Sequence, residues 1–519
     1  MICLCLTGET RHEWTRQLER NREWIGMVEM RVDLLHPAER TPTALGAWWE
    51  QHGGGLDAIL TIRRSRDLGR WEGDEAQRLF LFTRLIPAVM PQYIDIELDR
   101  QGNPGWDQLA LMFRAQDGTV IRSHHETHGM PEDPAGLMAR LAADAQEIPK
   151  LAVPCESTDE LIRLLQAARG FRRRMNRRNG IWIGMGEYGQ PSRLLPARIG
   201  SLWTYAFDAD GTAPAPGQVP VEDLSRLYRI NEAQPDWPVF AVLGSPIAHS
   251  ASPRYHNGRF SSDGIDAVYV PIHLDRFEQF STLADLLGIR GASVTVPHKA
   301  AALAFADECD EETQRIGAAN TVLLEGSPEE RRWVAANTDV AGFLAPLQGP
   351  DMEYAGGSGS ANGSTADGAT GTAPVAAVIG AGGAARAVVA GLLRYGYRPI
   401  LFNRTVERAE TLATDFGLPP EDARSLDRGA GIEAFLSEHG GPPRLIVQTT
   451  SVGLDGEDDP AREYRFAGSE VVYDLIYHPA ETPFLARARG AGCDTINGEA
   501  MFETQAAEQY RRFIRLLAR

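Results

Sequence analysis

The chain has 519 residues, 43% of them hydrophobic and 24% charged, with a formal net charge of −18. That length provides for two or more domains with separate cores, and the acidity disfavours nucleic acid or an anionic membrane surface as the main partner. Five cysteines without a CxxC pair and an apolar start, "MICLCL", that stops at Thr7-Gly8-Glu9 predict a cytoplasmic protein with reduced thiols, no signal peptide and no bilayer span.

Apolar runs recur from the first residues onward: "ICLCL", "IGMVEMRVD", "DAILTIR", "YIDIEL", "TVIRSHH", "IPKLAV", "IWIGMG" and "GSLWTYAF". Between them lie stretches with helical spacing, such as "DEAQRLFLFTRLI" and "STDELIRLLQAARGF". Eight such repeats predict a closed (β/α)8 barrel over residues 1–230, with its chemistry at the C-terminal ends of the strands. The sixth run carries a lysine, Lys150, inside an otherwise buried strand. An ammonium there must reach water, find a partner or lose its proton. The basic run "RRRMNRR" (172–178) reads as a solvated helix end.

The polar, proline-containing stretch "NEAQPDWPVF" (231–240) marks a seam, and "VFAVLG" opens a second half. One lobe is expected over 239–345 and another over 375–519, whose last helix returns to the first lobe. Between them "GGSGSANGSTADGATGTAP" (356–374) is too polar and repetitive to build a core. In the first lobe Ser250, Ser252, Thr295, Asn320 and Asp339 are hydrogen-bonding groups at strand ends and loops, suited to a small polyhydroxylated substrate. In the second, "VAAVIGAGGAARAVVAGLL" runs from a strand through Gly380, Gly382, Gly383, Ala384 and Ala385 into a helix, a Rossmann-type dinucleotide turn. The next strand, "PILFNRT", ends in Asn403, Arg404 and Thr405, with Arg408 beyond. A cation stands where an NAD site places a carboxylate, so NADP is the expected cofactor.

From about residue 239 to the C-terminus, "AVLGSPIAHSASPRYHN", "GASVTVPHK", "IGAANT", "ANTDVAGF", "YDLIYHPAETPFL" and "NGEAMFETQ" together resemble shikimate dehydrogenase. That resemblance implies a two-lobed α/β dehydrogenase in which Ser250, Ser252, Thr295, Asn320, Asp339, Tyr477 and Gln505 hold shikimate. It makes Lys299 and Asp339 the catalytic pair, without deciding which carries the proton. The chain departs from the family pattern at Ser293, Gln448, Leu454 and His478.

The first 225 residues, through "VEMRVD", "TIRRSRDLGRWEGD", "SHHETHGMP", "IPKLAVP", "GMGEYGQPSR" and "APGQ", resemble type I 3-dehydroquinate dehydratase, departing from it at Pro214. By that resemblance Lys150 forms an imine with the substrate ketone and His125 is the acid–base. Glu29, Arg31, Arg63, Arg193 and Gln218 line the pocket, Arg193 as the carboxylate clamp. The fused pair resembles the bifunctional dehydratase–shikimate dehydrogenases of plants, which implies 3-dehydroquinate, 3-dehydroshikimate and shikimate as small-molecule partners, NADP as cofactor and no metal. Two other readings share these folds: an NAD-dependent quinate or shikimate dehydrogenase, and a non-catalytic quinate-pathway regulator.

Overall fold

The computed structural model describes residues 1–175, 180–247, 250–327, 329–348, 373–439 and 441–518. All but the last two residues of the 356–374 tract, and residues 176–178 of the basic run, lie outside these. By its internal contacts the chain forms two units, Met1–Arg290 and Gly291–Arg519.

The first unit opens with eight parallel strands: β1 (Ile2–Leu6), β2 (Met27–Arg31), β3 (Asp57–Thr61), β4 (Tyr93–Glu97), β5 (Thr119–His125), β6 (Ile148–Pro154), β7 (Ile181–Met185) and β8 (Thr204–Phe207). They fall on the eight apolar runs. Each pairs with the next from β1 to β7, and β8 pairs with β1. The curled sheet meets itself at a bridge between Gly180 and Ser201, with the Leu202 amide donating to the Gly180 carbonyl. A two-residue strand, β9 (Val219–Pro220), unforeseen in the sequence, extends β8. Local signals set the helix starts: Thr10 and Asp74 close capping boxes with Glu13 and Gln77.

Side chains alternate faces along a strand, and this parity builds the barrel interior. Cys3, Met27, Ile59, Ile121, Ile181 and Trp203 share one apolar cluster. Two residues onward from several of these, in the same parity, stand Glu29, Ser123 and Tyr205. Register carries the pattern across: Cys5 pairs with Glu29, Asp95 with Ile121, and Ser123 with Lys150.

The same unit continues into β10 (Val239–Gly244) and β11 (Val268–His273), a parallel pair. The connecting stretch before them is docked. Trp237 is buried, Arg229 lies over its ring at 4.6 Å, and Arg198 donates to its carbonyl at 2.6 Å.

In the second unit, β12 (Ile289–Val294), which begins just before the boundary, runs antiparallel to β14 (Thr321–Glu325). β14 is antiparallel to β15 (Arg332–Ala336), and β13 (Glu308–Cys309) is parallel to β15. A further sheet is wholly parallel, in the order β18 (Ala423–Ser425), β17 (Arg398–Asn403), β16 (Val375–Ile379), β19 (Leu445–Gln448), β20 (Val471–Asp474), β21 (Asp494–Ile496). That is the doubly wound dinucleotide-binding order, whose ligand crevice opens where the strand order reverses, between β16 and β19. The C-terminal helix Glu499–Leu517 is tied back by Gln509, which donates to the Asn320 carbonyl at 3.0 Å. Among the described residues, no helix is long and apolar enough to cross a membrane.

Candidate active sites

Lys150 is 2% exposed and finds partners. Its Nζ lies 2.9 Å from Asp95 and 3.7 Å from Glu29, and 4.2 Å above the Tyr205 ring. Arg63 reaches the same two carboxylates, at 2.9 and 3.4 Å. Two cations and two carboxylates thus form one buried network, completed by Ser123 on Asp95 at 2.5 Å and Thr61 on Glu29 at 3.0 Å. Burial opposes ionisation of Asp95 and Glu29, but the Arg63 and Lys150 charges outweigh it and hold both below the usual carboxylate range.

His125, at the end of β5, sits with its Nδ1 2.6 Å and its Nε2 2.8 Å from Arg63 Nη1. Desolvation, then the Arg63 and Lys150 charges, push its imidazole well below the ordinary histidine value. The ring is therefore neutral at pH 7 and can accept a proton. Arg31 is spent on Asp33, at 2.8 and 3.0 Å.

Arg193 differs from these. Its fork donates to the carbonyls of Gly184 and Pro216, both at 3.2 Å, and no carboxylate among the described residues pairs with it. Burial pushes it down to about 10. Gln218, whose Oε1 is buried without a partner, lines the same cavity. Every residue expected in the barrel site, Glu29, Arg31, Arg63, His125, Lys150, Arg193 and Gln218, borders this one cavity, and so does Pro214. Asp95 and Tyr205 were missed. Strand parity could have found Asp95, which lies on the face of "YIDIEL" that also turns Tyr93 inward.

The loop after β7 leads into the short helix Gln190–Leu194 that carries Arg193, and it is gripped from β11 and the residues just beyond it. Tyr188 donates to Asp275 at 2.5 Å, Glu187 lies 3.3 Å from His273, and Asp275 accepts the Thr158 amide at 2.9 Å. The Asp275 bond, then burial, push the Tyr188 hydroxyl up to about 12, so it remains a donor across the physiological range. Loss of this exposed hydroxyl–carboxylate bond costs about 1 kcal/mol. Tyr188→Phe is thus expected to raise the dehydratase KM roughly three- to tenfold while kcat stays close to wild type. Steady-state kinetics check this; an unchanged KM would mean the loop holds its shape without the bond.

In the second unit Lys299 Nζ lies 2.7 Å from Asp339 Oδ2, and Asn320 Nδ2 donates to Asp339 Oδ1 at 2.8 Å and to Gln505 at 3.4 Å. Thr295 is half-buried one residue past β12. The Tyr477 ring lies 4.8 Å from that of Phe502, tilted by 32°, on a turn that Asp474 braces through the Ile476 amide and the Thr482 hydroxyl. Ser293 is buried and donates to Gln509 at 2.8 Å, so this departure from the family pattern serves the C-terminal helix. Gln448 braces its own loop, donating to the carbonyls of Thr450 and Val452. Ser250 and Ser252 belong to the first unit, Ser252 opening the helix Ser252–Ser262.

The dinucleotide turn has the geometry a pyrophosphate needs. Gly380 has φ +112°, and a Cβ on it would lie 2.4 Å from Thr449 Oγ1, across the β16–β19 crevice. Gly382 faces open space ahead of the helix Gly383–Arg394, whose N-terminus attracts anions. A Cβ on Gly383 would lie 3.1 Å from the Lys299 side chain, so turn and lysine are neighbours. Asn403 closes β17 by bonding the Thr405 carbonyl at 2.7 Å, and beyond it Arg404 and Arg408 are exposed and without carboxylate partners among the described residues. These groups fit NADP.

The chain is an enzyme with two chemistries, a lyase joined to a nucleotide-dependent oxidoreductase. The type I 3-dehydroquinase family profile matches residues 2–235, and the shikimate dehydrogenase substrate binding domain profile matches 242–322. A chloroplastic bifunctional 3-dehydroquinate dehydratase/shikimate dehydrogenase of Arabidopsis thaliana is 31% identical over 95% of this chain and 78% of its own length. The NADP(+) shikimate dehydrogenase of Acidiphilium cryptum is 38% identical over 51% of this chain and 86% of its own. A crystal structure of the Thermus thermophilus enzyme with NADP(H) and shikimate is 34% identical, covering 53% of this chain and 92% of that one, with a TM-score of 0.41. The chain belongs to the family of bifunctional 3-dehydroquinate dehydratase/shikimate dehydrogenases.

Proposed function

We infer that the barrel converts 3-dehydroquinate to 3-dehydroshikimate and that the following lobes reduce that product to shikimate with NADPH. The observation that carries the reading is the barrel cavity in which a network-held lysine, a neutral imidazole and an arginine without a carboxylate partner among the described residues converge. We assign the dehydratase to residues 1–230, substrate binding in the dehydrogenase to 239–345 and NADP binding to 375–519; the profile spans 2–235 and 242–322 support the first seam.

In the barrel, Arg193 receives the substrate carboxylate. Lys150 passes its ammonium proton to the neutral His125 and attacks the ketone as an amine; His125 returns the proton as water leaves, giving a protonated imine that draws electrons from the adjacent carbon more strongly than the ketone does. His125 takes the proton from that carbon, and the β-hydroxyl departs with a proton as water. Hydrolysis then frees Lys150 and the product. In the dehydrogenase, the reduced nicotinamide supplies hydride when bound. Thr295, Asn320, Tyr477 and Gln505 orient the hydroxyls and carboxylate of the substrate. The Lys299–Asp339 pair supplies a proton and positive charge to the forming alkoxide. Arg404, Thr405 and Arg408 take the 2′-phosphate. We propose a cytoplasmic setting and small-molecule partners only, supported by five free cysteines and the charge of −18.

The test is a coupled assay. Full-length protein given 3-dehydroquinate and NADPH should oxidise the nucleotide and accumulate shikimate; nucleotide oxidation only when 3-dehydroshikimate is supplied would remove the dehydratase. Charge-assisted phosphate contacts are worth about 1.5–3 kcal/mol. Arg404→Ala should therefore weaken NADPH roughly ten- to a hundredfold and leave NADH use nearly unchanged. Equal losses with both would make the arginine a structural residue.

A further inference from the structure

Sharing no lining residue with either site, a cleft of about 630 Å³ in the first unit is bordered by Arg169, Arg172, Arg173, Arg198, Asp285 and Gly288. Small-molecule sites span roughly 300–1,000 Å³. In a chain of net charge −18, four guanidiniums around one opening run against the average. Asp285 is ion-paired with Arg169, and Arg198 Nη2 is committed to the Trp237 carbonyl. Arg172 and Arg173 have no carboxylate partner among the described residues, and the buried Nε of Arg172 has no hydrogen-bond partner.

Part of this charge is met by the fold. The helices Thr158–Arg174 and Phe280–Leu287 both end at the cleft, and a helix C-terminus carries about half a negative charge. Four cations against one carboxylate and two helix ends leave a surplus of about two positive charges. The cations are also pre-ordered. Arg172 lies on Gly200, where a Cβ would be 2.3 Å from its Cδ, and Arg198 lies on Gly288, where a Cβ would be 3.0 Å from its Nη1. Both glycines have left-handed φ, +80° and +70°, so other residues are disfavoured there. Guanidiniums fixed in advance lose little freedom when a ligand arrives, and their planar forks match the oxygens of a phosphate.

We propose that this cleft binds a small dianion of the phosphate class, free phosphate or a phosphate monoester, as a ligand separate from the substrates and cofactor. The full-length protein is first saturated with NADP+ and 3-dehydroshikimate, which fill the other anion sites. It is then titrated calorimetrically with inorganic phosphate or glycerol 3-phosphate, with chloride at matched ionic strength as control. Saturable binding in the millimolar range or tighter is expected; tighter binding of glycerol 3-phosphate would identify an ester as the ligand, and equal binding would identify phosphate itself. Arg172→Gln and Arg173→Gln should each weaken binding roughly tenfold. Asp285→Asn, which frees Arg169, should tighten it. Arg173 is exposed, so its variant remains informative should Arg172→Gln misfold. Heat that chloride reproduces, or affinity unchanged in Arg173→Gln and Asp285→Asn, overturns the proposal.

Discussion

Lys150→Ala is expected to abolish dehydration, lowering kcat by about 10⁴-fold or more, while NADPH-dependent reduction of 3-dehydroshikimate continues. The loss has two sources that can be separated. An imine cannot form, and Asp95 and Glu29 keep only Arg63 as a directly contacting cation inside the network. Removing one member of a buried charge network costs about 3 kcal/mol or more. Lys150→Arg therefore belongs beside it, retaining the charge without an amine able to form an imine. Both should be inactive, and only the alanine variant should melt well below wild type. Borohydride added with 3-dehydroshikimate should leave a ligand-sized mass on the peptide holding Lys150. His125→Ala should still be trapped, yet eliminate slowly. Because the His125 imidazole is held well below its ordinary value, it stays neutral as pH falls through 6.5, so no acid limb should appear in wild-type dehydration until lower pH. A label on another lysine, or a dehydratase-active Lys150→Arg, would sink the imine.

Removing the other pair should be nearly as damaging to the second reaction. Lys299→Met and Asp339→Asn are each expected to slow ketone reduction roughly 10²- to 10⁴-fold with dehydration untouched. They differ in their neighbours. Asp339 also accepts from Asn320, which in turn reaches Gln505, so Asp339→Asn disturbs the substrate-holding groups and should raise the KM for 3-dehydroshikimate. Lys299→Met should act mainly on kcat. The pH profile of whichever variant retains more activity identifies the proton carrier, because the basic limb vanishes with the group that supplies it. Reduction at wild-type rate in Lys299→Met would remove the lysine from the chemistry.

Much of this was legible in the chain. Apolar runs of strand length located all eight barrel strands, because a strand covered on both faces must be apolar on both. The glycine turn of the dinucleotide lobe was legible for a different reason: only glycine accepts the φ of +112° at position 380. Asp95 escaped because a carboxylate in an apolar run carries no mark of its partner; only register brings it to Lys150. Gln509 escaped likewise, since a glutamine on a long C-terminal helix is ordinary until it meets Ser293 and the Asn320 carbonyl. The polar, proline-containing composition of 231–240 was visible. Asp275 and Tyr188, 87 positions apart, were not, because each is an unremarkable loop residue until the chain folds.

That last contact bears on how the protein comes apart. A protease cutting the exposed residues 234–236 would sever the backbone at the place where the sequence suggests two independent proteins. The fragments would still share the Tyr188–Asp275 bond, the Thr158–Asp275 bonds, the pairing of Asp159 with Arg276 and Gln279, and the Arg198–Trp237 contact. A nicked molecule should elute as one particle and separate only in denaturant. The fusion is therefore maintained by side chains as well as by a peptide bond, and a gene split at this point would yield two polypeptides already fitted to find each other.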